Sequence, residues 1–396
     1  MKLSRRRFAI LVIFAAPLLL FATAASPHKR TPNKPYLVFV GTYTNKTTSK
    51  GIYAYRFDPG TGKLSPLGVA AESEDPSFLA VHPSGKYLYA VNEIDHFGAQ
   101  KSGAVSAFSI DHKTGKLALL NQAATQGAGP CHISLDKSGK FVLVANYDGG
   151  SVAVFPIRED GSVGPASAFV QHSGSSVNKE RQEGPHAHWI ETSPDNRFAL
   201  AADLGLDKIL IYRFNAVKGS VTPNDPPYAK LNPGSGPRHL AFHPNGKFAY
   251  VLTEMENSVT SFSYSAAKGS LSPLQTLSTL SSLRKDYSGP KEAAEIAVHP
   301  NGKFLYTSNR AGIDTVSAFS IDHVKGTLKL IDEFPTMGKT PRNFAIDPTG
   351  KFLLAANQES NNIVTFRIDS STGRLMPTGD IVEAPAPVCI TFVAAP

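Results

Sequence analysis

One turn-and-strand segment occurs six times along this chain at a spacing near fifty residues. It reads HPSGKYLYAVNE (82–93), DKSGKFVLVANY (136–147), SPDNRFALAADL (193–204), HPNGKFAYVLTE (243–254), HPNGKFLYTSNR (299–310) and DPTGKFLLAANQ (347–358). The basic residue after each turn (Lys86, Lys140, Arg197, Lys247, Lys303, Lys351) steps forward by 54, 57, 50, 56 and 48 positions. That unit is too long for ankyrin or leucine-rich repeats and long enough for the four short strands of a propeller blade.

The surroundings of each copy repeat as well. Upstream stands a short apolar strand, as in PSFLAVHP (76–83) or PRHLAFHP (237–244). Downstream comes an alternating strand such as GAVSAFSID or NSVTSFSYS, then a turn and a fourth strand, as in KGSLSPLQ (268–275). Period-two alternation of Val, Ile, Phe and Tyr between Gly, Asn and Asp turns marks antiparallel strands. The two ends carry one further blade between them. YLVFVGTY (36–43) and the strands after it lack an inner strand, and PVCITFV (387–393) is an inner strand with nothing after it. The pattern predicts an all-β chain, a seven-bladed propeller over residues 36–396, closed by terminal strands that share a blade and leave no open edge.

The first residues read differently. Lys2, Arg5, Arg6 and Arg7 precede an apolar stretch (9–22) and a small-residue site at Ala22-Thr23-Ala24. This is the layout of a secretory signal, and Ser-Arg-Arg-x-Phe resembles the twin-arginine type, which carries folded proteins. A signal peptide over 1–25, a linker over 26–35, and a periplasmic or secreted product without stable membrane insertion are expected. The formal charge of +8 falls to +4 once those four residues are set aside, and no other basic block exists, so no nucleic-acid partner is expected. Cys131 and Cys389 fall two blades apart on inner strands, which predicts two buried free thiols. The chain is expected to be a monomer.

In an antiparallel pair, the start of the inner strand and the end of the next strand meet at one mouth of the central channel. Aligning the blades puts Ser77, Cys131, His188, Arg238, Ala294, Arg342 and Val388 at one inner position. Phe78, His132, Trp189, His239, Glu295, Asn343 and Cys389 stand at the next. The second strands end in Glu93, Tyr147, Leu204, Glu254, Arg310 and Gln358, preceded by Asn92, Asn146, Asp203, Thr253, Asn309 and Asn357. Charges converging on one mouth must be hydrated, paired or ligand-bound, so a polar, anion-tolerant site is expected there. Arg238, Arg310 and Arg342 could clamp a carboxylate or stabilise an oxyanion, and His188 and Glu254 are candidates for general base and acid. His132, His186, Asp203, His239, Asn309, Arg342 and Asn357 are the expected substrate-binding residues. His186-Ala187-His188 is a His-x-His, but carboxylates beside it are few and arginines repel a cation, so neither metal nor cofactor is expected. No Gly-x-Ser-x-Gly elbow occurs. The insertions 174–184 and 278–289 precede site strands and are lids or mobile loops, a lid being the expectation.

GTYT (41–44), PHAHW (185–189), GPRHLAFHPNGKFAYVLTE (236–254), HPNGKFLYTSNR and PRNFAIDPTGKFLLAANQ (341–358) resemble the seven-bladed propeller lactonases. That family includes bacterial 6-phosphogluconolactonase and fungal carboxy-cis,cis-muconate cyclase. The likeness runs from about Tyr36 to Val393. It implies hydrolysis of a sugar lactone at a site around His188, Arg238, Glu254 and Arg310. The export signal departs from a cytoplasmic phosphogluconolactone and makes an aldonolactone the preferred substrate. A lactone-forming cyclase and a non-catalytic binding propeller are the alternatives.

Overall fold

The alternation of β-branched and aromatic residues produces strands throughout residues 34–284 and 287–394, which the computed structural model describes. The expected signal peptide and residues 26–33 of the linker lie outside the described residues. Among the described residues there are seven four-stranded antiparallel sheets and two single-turn 3-10 helices, Leu204–Leu206 and Ser282–Arg284, with no α-helix. Six sheets use consecutive strands; blade 4, for example, runs Pro237–Phe242, Phe248–Thr253, Ser258–Ser265, Ser270–Ser278. The seventh joins Pro387–Ala394 to Tyr36–Thr42, Gly51–Phe57 and Leu64–Glu72, with Tyr36 opposite Ala394 and Val40 opposite Ile390. The ring is therefore closed by the terminal strands, as the sequence predicts.

Seven apolar clusters fill the seven interfaces between neighbouring blades. Trp189, Phe198 and Leu200 meet Leu240, Val251 and Phe262 between blades 3 and 4, and Leu37 and Phe39 meet Leu79 and Leu88 across the closing blade. A second device recurs outside these wedges. The turn glycine before a blade's outermost strand lies on the aromatic ring that opens the second strand of the preceding blade: Gly161 on Tyr87, Gly219 on Phe141, Gly269 on Phe198, Gly326 on Phe248, Gly373 on Phe304 and Gly62 on Phe352. At Gly269 φ is +65° and a Cβ would overlap the Phe198 ring, so both backbone and space demand glycine.

Six of the seven inner strands share an irregularity that positions the site. In Pro130–Leu135, Ala187–Thr192, Pro237–Phe242 and Pro341–Ile346 the register skips Cys131, His188, Arg238 and Arg342, respectively. Ala293–Val298 skips Ala294 and Glu295, and the closing strand skips Val388. A β-bulge of this kind bends the strand and re-aims side chains. Here it sits on the row that the blade alignment singles out. Cys131 and Cys389 are buried free thiols on strands of blades 2 and 7, as expected.

Candidate active site at one mouth of the channel

The first row of bulge residues and the ends of the second strands enclose a cavity of about 240 Å³, lined by Glu93, Cys131, Tyr147, Arg181, His188, Glu254, Glu292, Arg310 and Arg342. Its organising group is Glu254. Oε2 accepts from Arg238 Nε at 3.0 Å and pairs with Arg310 Nη2 at 3.3 Å, while Oε1 accepts from Arg181 Nη2 at 2.7 Å. Burial alone would raise the Glu254 carboxyl, but Arg310, Arg238 and Arg181 together outweigh it and hold the group at about 2. Arg310 is less tightly committed. Its second pair, to Glu292, is 3.4 Å long, and its buried Nε has no acceptor. Burial brings this guanidinium down to about 10.

Across the cavity Arg342 donates to the Tyr43 hydroxyl at 2.8 Å and stacks over that ring. Tyr43 in turn donates to the Glu93 carboxylate at 2.9–3.0 Å. Burial pushes the Glu93 carboxyl up, against the pull of Arg342. His188 has Cys131 Sγ 3.7 Å from its Nδ1. Burial, then the charge of Arg238, keeps the imidazole well below its ordinary value, so it is neutral at pH 7. Cys131 is pushed well above the ordinary thiol range by burial, which leaves it protonated and inert as a nucleophile.

A description as a seven-bladed β-propeller lactonase matches residues 37–392. The chain belongs to that lactonase family. It is similar to the 6-phosphogluconolactonase of Bacillus subtilis, with 37% identity over 358 residues that cover 90% of this chain and 98% of the relative. A 6-phosphogluconolactonase of Formosa agariphila is 39% identical over 340 residues, covering 85% and 94% of the two chains. Among solved structures, the Pseudomonas aeruginosa periplasmic gluconolactonase aligns with a TM-score of 0.85 at 34% identity, covering 91% of this chain and 100% of that one.

In this lactonase-family propeller the expected residues separate into four groups. His188, Glu254, Arg310 and Arg342 line the cavity. Arg238 lies beneath it, only 3% exposed, and reaches it through Glu254. His132 and His239 belong to the second row, which the bulges turn the other way. With Phe78, Trp189 and Glu295 they line a separate cavity of about 540 Å³ at the turn ends of the inner strands. The expectation that both rows share one mouth is thus corrected. The bulge leaves consecutive residues in adjacent layers that face different cavities, with Arg238 Nη1 still 3.2 Å from His239 Nε2.

The remaining substrate-binding expectations fall on residues spent inside the blades. Asp203 is fully buried, accepting from His186 N, Leu206 N and His172 Nδ1. Asn309 accepts from Asn257 and Thr279 and donates to Thr315 and Ser317. Asn357 donates to Thr336 O and Asn362. His186 stacks on Tyr147 and meets Tyr147 O and Glu183. None of the four lines the cavity. Glu254, with its carboxyl held low by Arg310, Arg238 and Arg181, stands as their shared counter-ion.

Five cavity residues, Glu93, Cys131, Tyr147, Arg181 and Glu292, are not among the expected site residues. Glu93 stood in the aligned row, but a lone carboxylate there gave no sign of its raised affinity for protons. Arg181 lies in the 174–184 insertion, whose sequence stands outside the blade repeat. That loop is tied down by Ser176 donating to Asp207 (2.6 Å) and by the fully buried Gln182 donating to Leu204 O (2.8 Å). Arg181 extends from it to Tyr147 and Glu254. The 278–289 insertion includes residues 285 and 286, outside the described residues. Among the described residues no three His, Cys, Asp or Glu converge as metal ligands.

Proposed function

We propose that this protein hydrolyses a sugar lactone, an aldonolactone or 6-phosphogluconolactone, by general acid–base catalysis with arginine stabilisation of the oxyanion and without a metal or cofactor. The observation that carries the reading is the arrangement of Arg310, Arg342 and a neutral His188 around one polar cavity, organised by Glu254. The relatives named as gluconolactonases and 6-phosphogluconolactonases support it.

In the proposed reaction Arg310 and Arg342 polarise the lactone carbonyl and take up the charge of the tetrahedral oxyanion. His188 accepts a proton as water oxygen bonds to the carbonyl carbon. The bond from that carbon to the ring oxygen then breaks, and the protonated fraction of Glu93 delivers a proton to the departing oxygen. The imidazolium returns its proton to Glu93 through solvent, leaving a hydroxy acid. Arg238 acts as a positioning residue behind Glu254. Proton transfer of this kind contributes about 10²–10⁴-fold, and each oxyanion donor about 10²–10³-fold. The Ser-Arg-Arg-x-Phe start and the likeness to a periplasmic gluconolactonase support export to the periplasm or beyond.

A pH-stat assay of the chain lacking residues 1–25, on gluconolactone and 6-phosphogluconolactone, tests this with His188→Ala as blank. Turnover that falls about 100-fold or more in the blank supports the mechanism. Equal rates in both proteins overturn it, and the preferred substrate decides whether phosphate is recognised.

A further inference from the structure

The cavity at the opposite end of the channel holds charged groups that the reaction does not use. We infer that Glu295 and His239 are positioning residues for catalysis, holding Arg238, and through it the Glu254 cluster, from the far side of the channel. This rests on the reading of that cluster as the lactonase centre.

The chain of contacts runs in one direction. Arg238 Nη1 donates to Ala294 O and to His239 Nε2, the latter at 3.2 Å. A guanidinium only donates, so Nε2 carries no hydrogen and the ring proton sits on Nδ1. Nδ1 therefore donates to Glu295 Oε1 at 2.9 Å. Ile296 N donates to the same oxygen at 2.9 Å, and Asn343 Nδ2 donates to Oε2 at 2.6 Å. The Asn343 amide cannot be reversed, because Ile390 N donates to its Oδ1 at 2.9 Å. Every partner of the Glu295 carboxyl is a donor. The ionised form is thus fully satisfied, whereas a proton on either oxygen would face a donor and one of these bonds would be lost.

The consequence reaches the reacting mouth through a shared atom. Glu254 Oε2 holds both Arg238 Nε and Arg310 Nη2, so a shift of Arg238 alters the anchor of Arg310. His239, Glu295 and Asn343 do not line the substrate cavity; His239 and Glu295 line the opposite one. The groups facing Glu295 are Arg238 and His239 on the preceding blade, Asn343 on the next, His132 across the channel and the Cys389 thiol, with Lys137 and Glu191 at the rim of the same cavity. Burial pushes the Glu295 carboxyl up to about 7 against Arg238. Burial and Arg238 keep His239 well below its ordinary value. The carboxylate that fixes Arg238 is therefore present above neutrality and is lost as the pH falls through about 7.

The test separates kcat from KM for the wild type, Glu295→Gln and Asn343→Ser. The expected wild-type kcat falls on the acid side with a midpoint near 7. Glu295→Gln is expected to lower kcat at high pH about tenfold and remove the acid limb, with KM changed by less than about threefold. Asn343→Ser removes a donor to the ionised form and moves the limb to higher pH. A Glu295→Gln enzyme with wild-type kcat and an unchanged limb overturns the inference. Nitrogen-15 histidine spectra give a readout independent of turnover. His239 is expected as the Nδ1–H tautomer, with a shift titrating near 7 in the wild type and absent in Glu295→Gln. The other tautomer, or the same titration in the variant, also overturns the inference. A folded wild type that opens no lactone rejects the lactonase reading instead, and the spectra still decide the contact chain.

Discussion

Glu254 gathers Arg181, Arg238 and Arg310 on two carboxylate oxygens, one of the three guanidinium groups being fully buried beneath it. Removing the negative charge leaves Arg238 without its counter-ion, and breaking a buried pair in this way costs about 3–5 kcal/mol. Glu254→Gln is therefore expected to lose that much in urea unfolding at neutral pH, together with nearly all turnover. The pH dependence follows from the depressed carboxyl. Its stabilisation is complete above the ordinary Glu range and is lost as the pH falls towards about 2. The stability gap between wild type and variant should narrow over that interval, and a gap independent of pH would contradict it. Arg181 is different because its side chain is 39% exposed and comes from a loop. Glu254 keeps Arg238 and Arg310 as partners when this half-exposed guanidinium is lost, and solvent screens such a group, so Arg181→Ala should shift the unfolding midpoint far less than Glu254→Gln. Steady-state kinetics should show it raising KM more than it lowers kcat.

These residues also show what the sequence discloses at this scale. His188, Glu254, Arg310 and Arg342 are legible because each occupies a position that the other blades fill with something else. Arg181 is not, because an insertion has nothing to align with. Asn309 and Asn357 look like site residues in the alignment, yet their amides tie the second strand to its neighbours. The asparagine repeated at this place in four blades marks a structural need of those blades.

At the scale of single elements, the bulge in the inner strands is the feature that makes a site. It turns the residues of one row towards one cavity and their immediate successors, in the adjacent layer, towards another, which simple alternation along a regular strand would not predict. The sequence shows the two rows but not the bulge, since a skipped register leaves no compositional trace. Strand pairing is legible where each segment alternates, and the glycine-on-aromatic contact is legible only as a recurring turn glycine. Its energetic meaning appears once Gly269 is seen on Phe198. Gly269→Ala must both adopt φ +65° and displace that ring. A cost of about 2–4 kcal/mol is expected from the two effects together. Chemical denaturation should show it, while kcat should stay at the wild-type value because the turn lies outside the channel.

On the scale of the whole molecule, seven apolar wedges hold seven blades, and the closing blade is assembled from both ends of the described chain. Both half-blades are visible in the sequence, and only a ring explains them together. Deleting residues 387–396 removes the innermost strand of that blade and exposes the edge of Tyr36–Thr42, with its row of unpaired amides. Such a chain is expected to elute from size exclusion as aggregate, while the full ring elutes as a discrete species; a soluble, cooperative unfolding transition in the deletion would contradict this.

The antiparallel seam has a further property, a mechanical one. Tyr36 lies directly opposite Ala394, so the two ends of the chain enter and leave the closing pair at the same end. Tension applied through them would load one backbone pair at a time and peel the strands apart, rather than shear all the pairs at once. A ring with no weak interface towards solvent is thus, towards a pulling force, a zip with its tab at Tyr36 and Ala394.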